Sequence, residues 1–202
     1  MDHRWIDQFS QSITFSDPPI ARGLFQSTHA GLFWVPVRCY FGYEWLNTGF
    51  ELLRDPAWMD GSQMHDFWWD VVYGPGSVDQ TSSSIVVYRT FLNGLIDAGV
   101  SALFARLVVF GEILVGAALV LGAFVGISAF FGALMNMNFM LVSSASVNPL
   151  FLLGAVGLML SWKVAGYFGL DRWLLPSIGI QWPQGIEERE VFRQPPFPKE
   201  KD

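Results

Sequence analysis

Apolar residues run through this chain in long blocks with few charges, and four of them approach the ~20 residues that a helix needs to cross a bilayer. They cover about Gly31 to Leu53, Leu103 to Phe124, Gly126 to Val142 and Pro149 to Leu170. The pattern predicts an all-α integral membrane protein, a four-helix transmembrane bundle occupying residues 31–176. The second and third blocks nearly touch, so a tight reversal is expected between Gly122 and Gly126, where glycine permits it. Ser143 to Pro149 forms the other short connection, and Pro149 suits a first helical turn because its missing N–H needs no partner there. The first block is the most polar, since it contains Arg38, Glu44 and Glu51.

The segments between and around the blocks are polar. Residues 1–30 read as a cytoplasmic N-terminal arm without the continuous apolar core of a signal peptide. The outer loop, 54–102, is too long for a plain connection. Within it, SQMHDFWWDVVY and VVYRTFLNGLIDAG carry apolar residues at helical spacing, which predicts interfacial helices capping the bundle. GPGSVDQTSSS between them reads as a turn, and the Trp68–Trp69 surface as either an inert lid or a docking surface for an outer partner. Residues 177–202 read as a disordered cytoplasmic tail.

Lys and Arg orient the bundle. Arg4 and Arg22 precede the first block, while Arg172, Arg189, Arg193, Lys199 and Lys201 follow the last. The long loop has Arg54 and Arg89 among many aspartates, so both termini are expected in the cytoplasm. Trp34, Trp162, Trp173 and Trp182 then fall toward the inner interface, and Trp58, Trp68 and Trp69 toward the outer one.

Composition agrees with this placement. Charged residues make up 15% of the 202, against 51% apolar; a soluble domain carries about 25% charged. Eighteen acids against 12 bases leave a net charge of -6, which argues against nucleic acid as a partner. A single cysteine, Cys39, excludes an internal disulfide and any multi-cysteine zinc or iron–sulfur site.

Ionisable groups within spans are costly and mark functional positions. Counting about 1.5 Å per residue puts Arg38 and Lys163 roughly 10 Å from the cytoplasmic face. The same count puts Glu112, Asn136 and Asn138 near the midplane, Glu44 somewhat outside it and Glu51 near the outer face. Glu44, Asn47 or Thr48, and Glu51 share one helical face, whereas Arg38 aligns with Trp45 and Gly49. Two cations, Arg38 and Lys163, are thus expected near two acids, Glu44 and Glu112, with Asn136 as a bridge. The cluster reads either as a network joining helices or as a pocket for a small ligand or a proton path. Glu112 is the candidate catalytic residue, as a proton carrier. Arg38, Glu44, Trp45, Asn136, Asn138 and Lys163 are the candidate binding residues.

No self-contained catalytic motif is present: HExxH, a Walker loop and GxSxG are all missing. The three histidines lie outside the blocks, so no haem, iron–sulfur or other metal is expected on this chain. A quinone remains compatible, with electrons supplied by a partner.

The ordered segments RCYFGYEWLNTGFELLRDPAW, VVFGEILVGAALVLG, GALMNMNFMLVSSASVNP and SWKVAGYFGLDRWLLP resemble the DoxX family of small membrane proteins. That family includes relatives of DoxD, the small subunit of thiosulfate:quinone oxidoreductase. The likeness covers roughly Val37 to Pro176. It implies a multi-pass protein of a bacterial or archaeal cell membrane, surrounded by lipid and joined to partner subunits of a redox complex. Arg38, Glu51, Glu112, Asn136, Asn148 and Lys163 fall on the family's recurring polar positions. Leu52 stands where many members carry a lysine. The expected function is a quinone-associated subunit of a respiratory-type oxidoreductase. The alternatives are a non-catalytic structural or assembly subunit and, more remotely, a small-solute transporter.

Overall fold

The computed structural model describes residues 18–74, 83–142 and 148–180, and among these the chain forms ten helices and no strand. The N-terminal residues 1–17, most of the Gly-Ser turn of the outer loop, the 143–147 connection and the tail from 181 lie outside the described residues.

A short helix α1 (Pro19–Phe25) leads into the long α2 (Thr28–Arg54), the first predicted span. Three helices follow in the long segment between the first two predicted spans: α3 (Pro56–Asp60), α4 (Ser62–Tyr73) and α5 (Ser83–Asp97). The second and third predicted spans are α6 (Ser101–Leu121) and α7 (Val125–Val142). Among the described residues α6 alone is long and apolar enough to cross a membrane, with a mean hydropathy of 2.2 over its best window. The apolar helices Val125–Met140 and Pro149–Leu160 are shorter.

The reversal between α6 and α7 falls where the glycines predict it. Gly122 sits at φ 68°, in the left-handed region, and the Ala123 N–H reaches back to the Ala118 carbonyl at 2.8 Å. This is the hydrogen-bonding pattern of a glycine helix stop.

The fourth predicted span is interrupted. Helix α8 (Asn148–Leu160) bends at Ser161 into the short α9 (Trp162–Gly166). The Ser161 hydroxyl donates to the Gly157 carbonyl at 2.8 Å, a back-bond that bends helices. The helix then stops at Gly166 rather than Leu170, and a turn brings in α10 (Asp171–Ser177). Tertiary contact sets this end: a Cβ at Gly166 would lie 2.3 Å from Asp171 Oδ2, so only glycine lets the chain fold back there.

Helix α2 packs along α6, and α7 along α8. The first pair approaches closely because Gly116 faces Gly42; a Cβ at Gly116 would stand 2.7 Å from the Gly42 carbonyl oxygen. Trp34, Phe41, Trp45, Leu119, Ala129 and Leu158 fill the main core. A second core lies among α4, α5 and the start of α6, where Met64, Trp68, Val72 and Leu92 close around Ala105. Helices α3 to α5 therefore cap one end of the bundle. Arg106 Nε donates to the Met59 carbonyl at 3.1 Å, and Arg89 donates to the Val72 carbonyl at the end of α4.

Two tryptophan expectations change. Trp68 is 4% exposed and belongs to the cap's core, so of the Trp68–Trp69 pair only Trp69 offers a surface. Trp34 is buried, its Nε1 donating to the Leu24 carbonyl at 2.9 Å, so it packs the core rather than facing an interface. The outer surface of the bundle is apolar, with Leu103, Leu107, Phe110 and Leu114 of α6 and Phe130 and Phe131 of α7 all exposed.

Candidate functional site

The expected four-residue cluster separates into distinct arrangements. Arg38, buried on α2, points to the end of α6. Its Nη1 donates to the Leu119 and Val120 carbonyls at 2.6 and 2.7 Å, and its Nη2 to the Phe168 carbonyl at 3.2 Å. The last carbonyls of a helix have no partner within it and carry its partial negative charge. The guanidinium fork satisfies both needs. Arg38 therefore caps a helix and does not pair with Glu44 or Glu112.

Asp171 performs the reciprocal task at the same turn. It is fully buried, and its Oδ1 and Oδ2 accept the Phe124 and Val125 N–H groups at 2.5 and 3.0 Å, at the start of α7. Burial pushes its carboxyl up from the ordinary value, while the two N–H groups and the Arg38 charge pull the other way. The backbone joins in: the Leu170 and Asp171 N–H groups donate to the Leu121 and Gly122 carbonyls at 3.1 and 2.8 Å. Arg38 and Asp171 thus lock the α6–α7 turn against the segment after α9. Asp171 was not among the expected site residues. Its signal was an acid directly after GYFGL, at the bundle end that also holds Arg38.

Lys163 is exposed, its ammonium 5.2 Å from the centroid of the Trp162 ring, and forms no part of a buried cluster. Glu44 is half-buried and makes no side-chain ion pair or hydrogen bond with another described residue. Asn138 is exposed; its Nδ2 donates to the Leu134 carbonyl of its own helix at 2.9 Å, and its Oδ1 accepts from the Tyr88 hydroxyl of α5 at 3.4 Å. Trp45 packs in the main core against Phe151, ring centroids 6.4 Å apart. The Asn148 side chain lies outside what the structure describes. Asn136 is buried on α7, with its Nδ2 3.8 Å from Met140 Sδ.

Glu112 remains. It is 0% exposed, and neither carboxyl oxygen has a hydrogen-bond partner among the described residues. It lies near the middle of α6 against α2, where a Cβ on Gly49 would stand 3.2 Å from Glu112 Cβ. Trp45 and Val115 line the space beside Gly132 of α7, within one helical turn of Asn136. An unpaired carboxylate in such surroundings costs several kcal/mol. The group can be held there by carrying a proton or by meeting a ligand's donor. Either state makes it a candidate site for proton exchange. No set of three or more potential metal ligands exists among the described residues.

No family model matches the chain, and neither a curated protein nor a solved structure matches it.

Proposed function

We propose that this chain is a multi-pass membrane subunit of a respiratory-type oxidoreductase, similar to the DoxX family, in a bacterial or archaeal cell membrane. In this reading Glu112 exchanges protons beside a bound quinone while a partner subunit supplies the electrons. One observation carries the proposal: Glu112 is buried in the apolar helix α6, and neither carboxyl oxygen has a partner among the described residues. A group kept only for packing would be apolar, because a buried polar group without a partner destabilises the fold. The apolar outer surface of α6 and α7 supports a lipid setting, and four membrane-crossing segments are part of the proposal. Arg38 drops out of the quinone site, because its Nη1 and Nη2 groups are engaged at the end of α6 and at the Phe168 carbonyl.

The test is Glu112→Gln in the purified complex, which removes the exchangeable proton and keeps the shape. Quinone-dependent electron flow is expected to fall by about 100-fold or more, the range of a general acid–base group. Unchanged flow would overturn the assignment.

A second reading, a non-catalytic structural or assembly subunit, is favoured by Arg38 and Asp171, whose bonds serve the fold alone. Under it, Glu112→Gln leaves electron flow intact, while removal of the chain dissociates the complex.

A further inference from the structure

The outward face of α2 carries polar side chains level with the middle of the apolar helix α6. Gly49 fixes that level, because its missing Cβ would lie 3.0 Å from Ile113 N and 3.2 Å from Glu112 Cβ. Helix α6 runs from Ser101 to Leu121, so residues 112 and 113 are near its middle. Asn47 and Glu51 stand two residues to either side of Gly49, roughly 3 Å along the axis each way. Both are exposed, and Asn47 Nδ2 donates to Glu51 Oε1 at 3.0 Å. Tyr40 and Tyr43 on the same face are 53% and 62% exposed, and Arg54 is exposed at its end.

On the membrane reading above, this amide–carboxyl pair lies level with the middle of α6, deeper than the outer-face position that counting along the first block gives Glu51. Polar groups at that depth normally face another helix, where amide and carboxyl hydrogen bonds hold helices together. Tyr40, Asn47 and Arg54 recur every seven residues, with Tyr43 or Glu44 and then Glu51 between them. That spacing makes one continuous seam along a helix packed at a shallow angle.

We propose that this seam pairs with the same seam of a second copy of the chain, about a twofold axis along the membrane normal. The chemistry is self-complementary. Asn47 keeps a second N–H beyond the one given to its own Glu51, and Glu51 keeps Oε2 as an acceptor. Arg54, about one turn further on, brings a cation to the partner's acid. A twofold axis along the normal sets equal depths side by side, so each Asn47–Glu51 pair meets its counterpart.

The test uses the full chain in native membranes with Cys39→Ala, which leaves no cysteine. Tyr43→Cys is then introduced on the seam, and separately Leu114→Cys, whose side chain is 71% exposed on an apolar face of α6. Mild oxidation is expected to give a covalent dimer at least tenfold more with Tyr43→Cys than with Leu114→Cys. Adding Asn47→Leu and Glu51→Leu, at exposed positions that leave the fold intact, should abolish the excess. Equal cross-linking at both sites, cross-linking of Tyr43→Cys to a different protein, or no dimer would overturn the pairing. Alkaline carbonate extraction separates the two readings. A chain that stays in the membrane yet gives no dimer refutes the pairing alone, whereas a chain released by carbonate refutes the membrane reading and the pairing with it.

Discussion

Replacing Arg38 by Met should destabilise the fold far more than the same change at Lys163, although the two cations look equivalent in sequence. Arg38 gives hydrogen bonds to three carbonyls, those of Leu119, Val120 and Phe168. Leu119 keeps a donor in the Gly122 N–H at 3.2 Å, so the Val120 and Phe168 carbonyls suffer most. Each buried acceptor left unpaired costs about 1–3 kcal/mol. Removing a buried guanidinium whose Nε has no partner returns part of that sum. The net loss is about 2–4 kcal/mol. For a domain of this size each kcal/mol moves the melting temperature by about 2–4 °C. Arg38→Met should therefore lower it by roughly 4–16 °C in thermal unfolding followed by tryptophan fluorescence in mild detergent. Lys163→Met removes one exposed cation–π contact, worth about 1 kcal/mol at most. Arg38→Lys should fall between, because an ammonium cannot bridge three carbonyls as a planar fork does. Equal destabilisation by Arg38→Met and Lys163→Met would refute the capping role and restore a cation cluster.

Glu112→Leu should raise stability, by about 1–3 kcal/mol, because it removes a buried carboxyl with no partner among the described residues, and under the function proposed above it should also abolish quinone-linked turnover; a loss of stability in the same unfolding assay would make Glu112 part of the structural frame. Gly116→Leu should drive α2 and α6 apart and prevent folding, since even a Cβ there meets the Gly42 carbonyl oxygen at 2.7 Å. Gly94→Ala on α5 meets nothing within 4 Å and should stabilise the protein by about 0.5–1 kcal/mol. A reversal of that order would contradict the close α2–α6 crossing. Burial pushes the Tyr88 phenol on α5 above its ordinary value. The unfolded chain therefore ionises this group first, and its contribution to stability is lost as pH rises from the ordinary tyrosine value through the raised one. Tyrosinate absorbance during alkaline titration should lose its highest-pH component in Tyr88→Phe; loss of an earlier component would contradict the burial of α5 against the bundle.

Much of the helical organisation was legible in the chain. Long apolar blocks exclude charge wherever a helix is apolar on most faces, so α2, α6 and α7 could be placed to within a few residues. Gly122 announced the α6–α7 turn because a reversal that tight needs a backbone conformation few other residues adopt. The stripes Met64–Trp68–Val72 and Tyr88–Leu92–Leu95 announced the capping helices, because a helix buried on one face repeats its apolar residues with the period of its turns.

The partners of the polar residues were not legible. Arg38, Glu44, Glu112 and Lys163 were grouped by depth along their helices, but depth says nothing about the direction in which each helix turns its side chains. Only the packing of α2 on α6 turned Arg38 to the carbonyls at one end of α6, enclosed Glu112 without a partner among the described residues and left Asn47 and Glu51 outside. The bend at Ser161 and the capping role of Asp171 depend on chain segments distant in sequence meeting at the Gly122 turn. By itself the sequence determined where the chain is helical and which faces are apolar, since both follow from local composition and period. Which buried ionisable group is satisfied and which has no partner among the described residues was decided by the tertiary structure, because hydrogen bonds form between groups that only folding brings within 3 Å or so of one another.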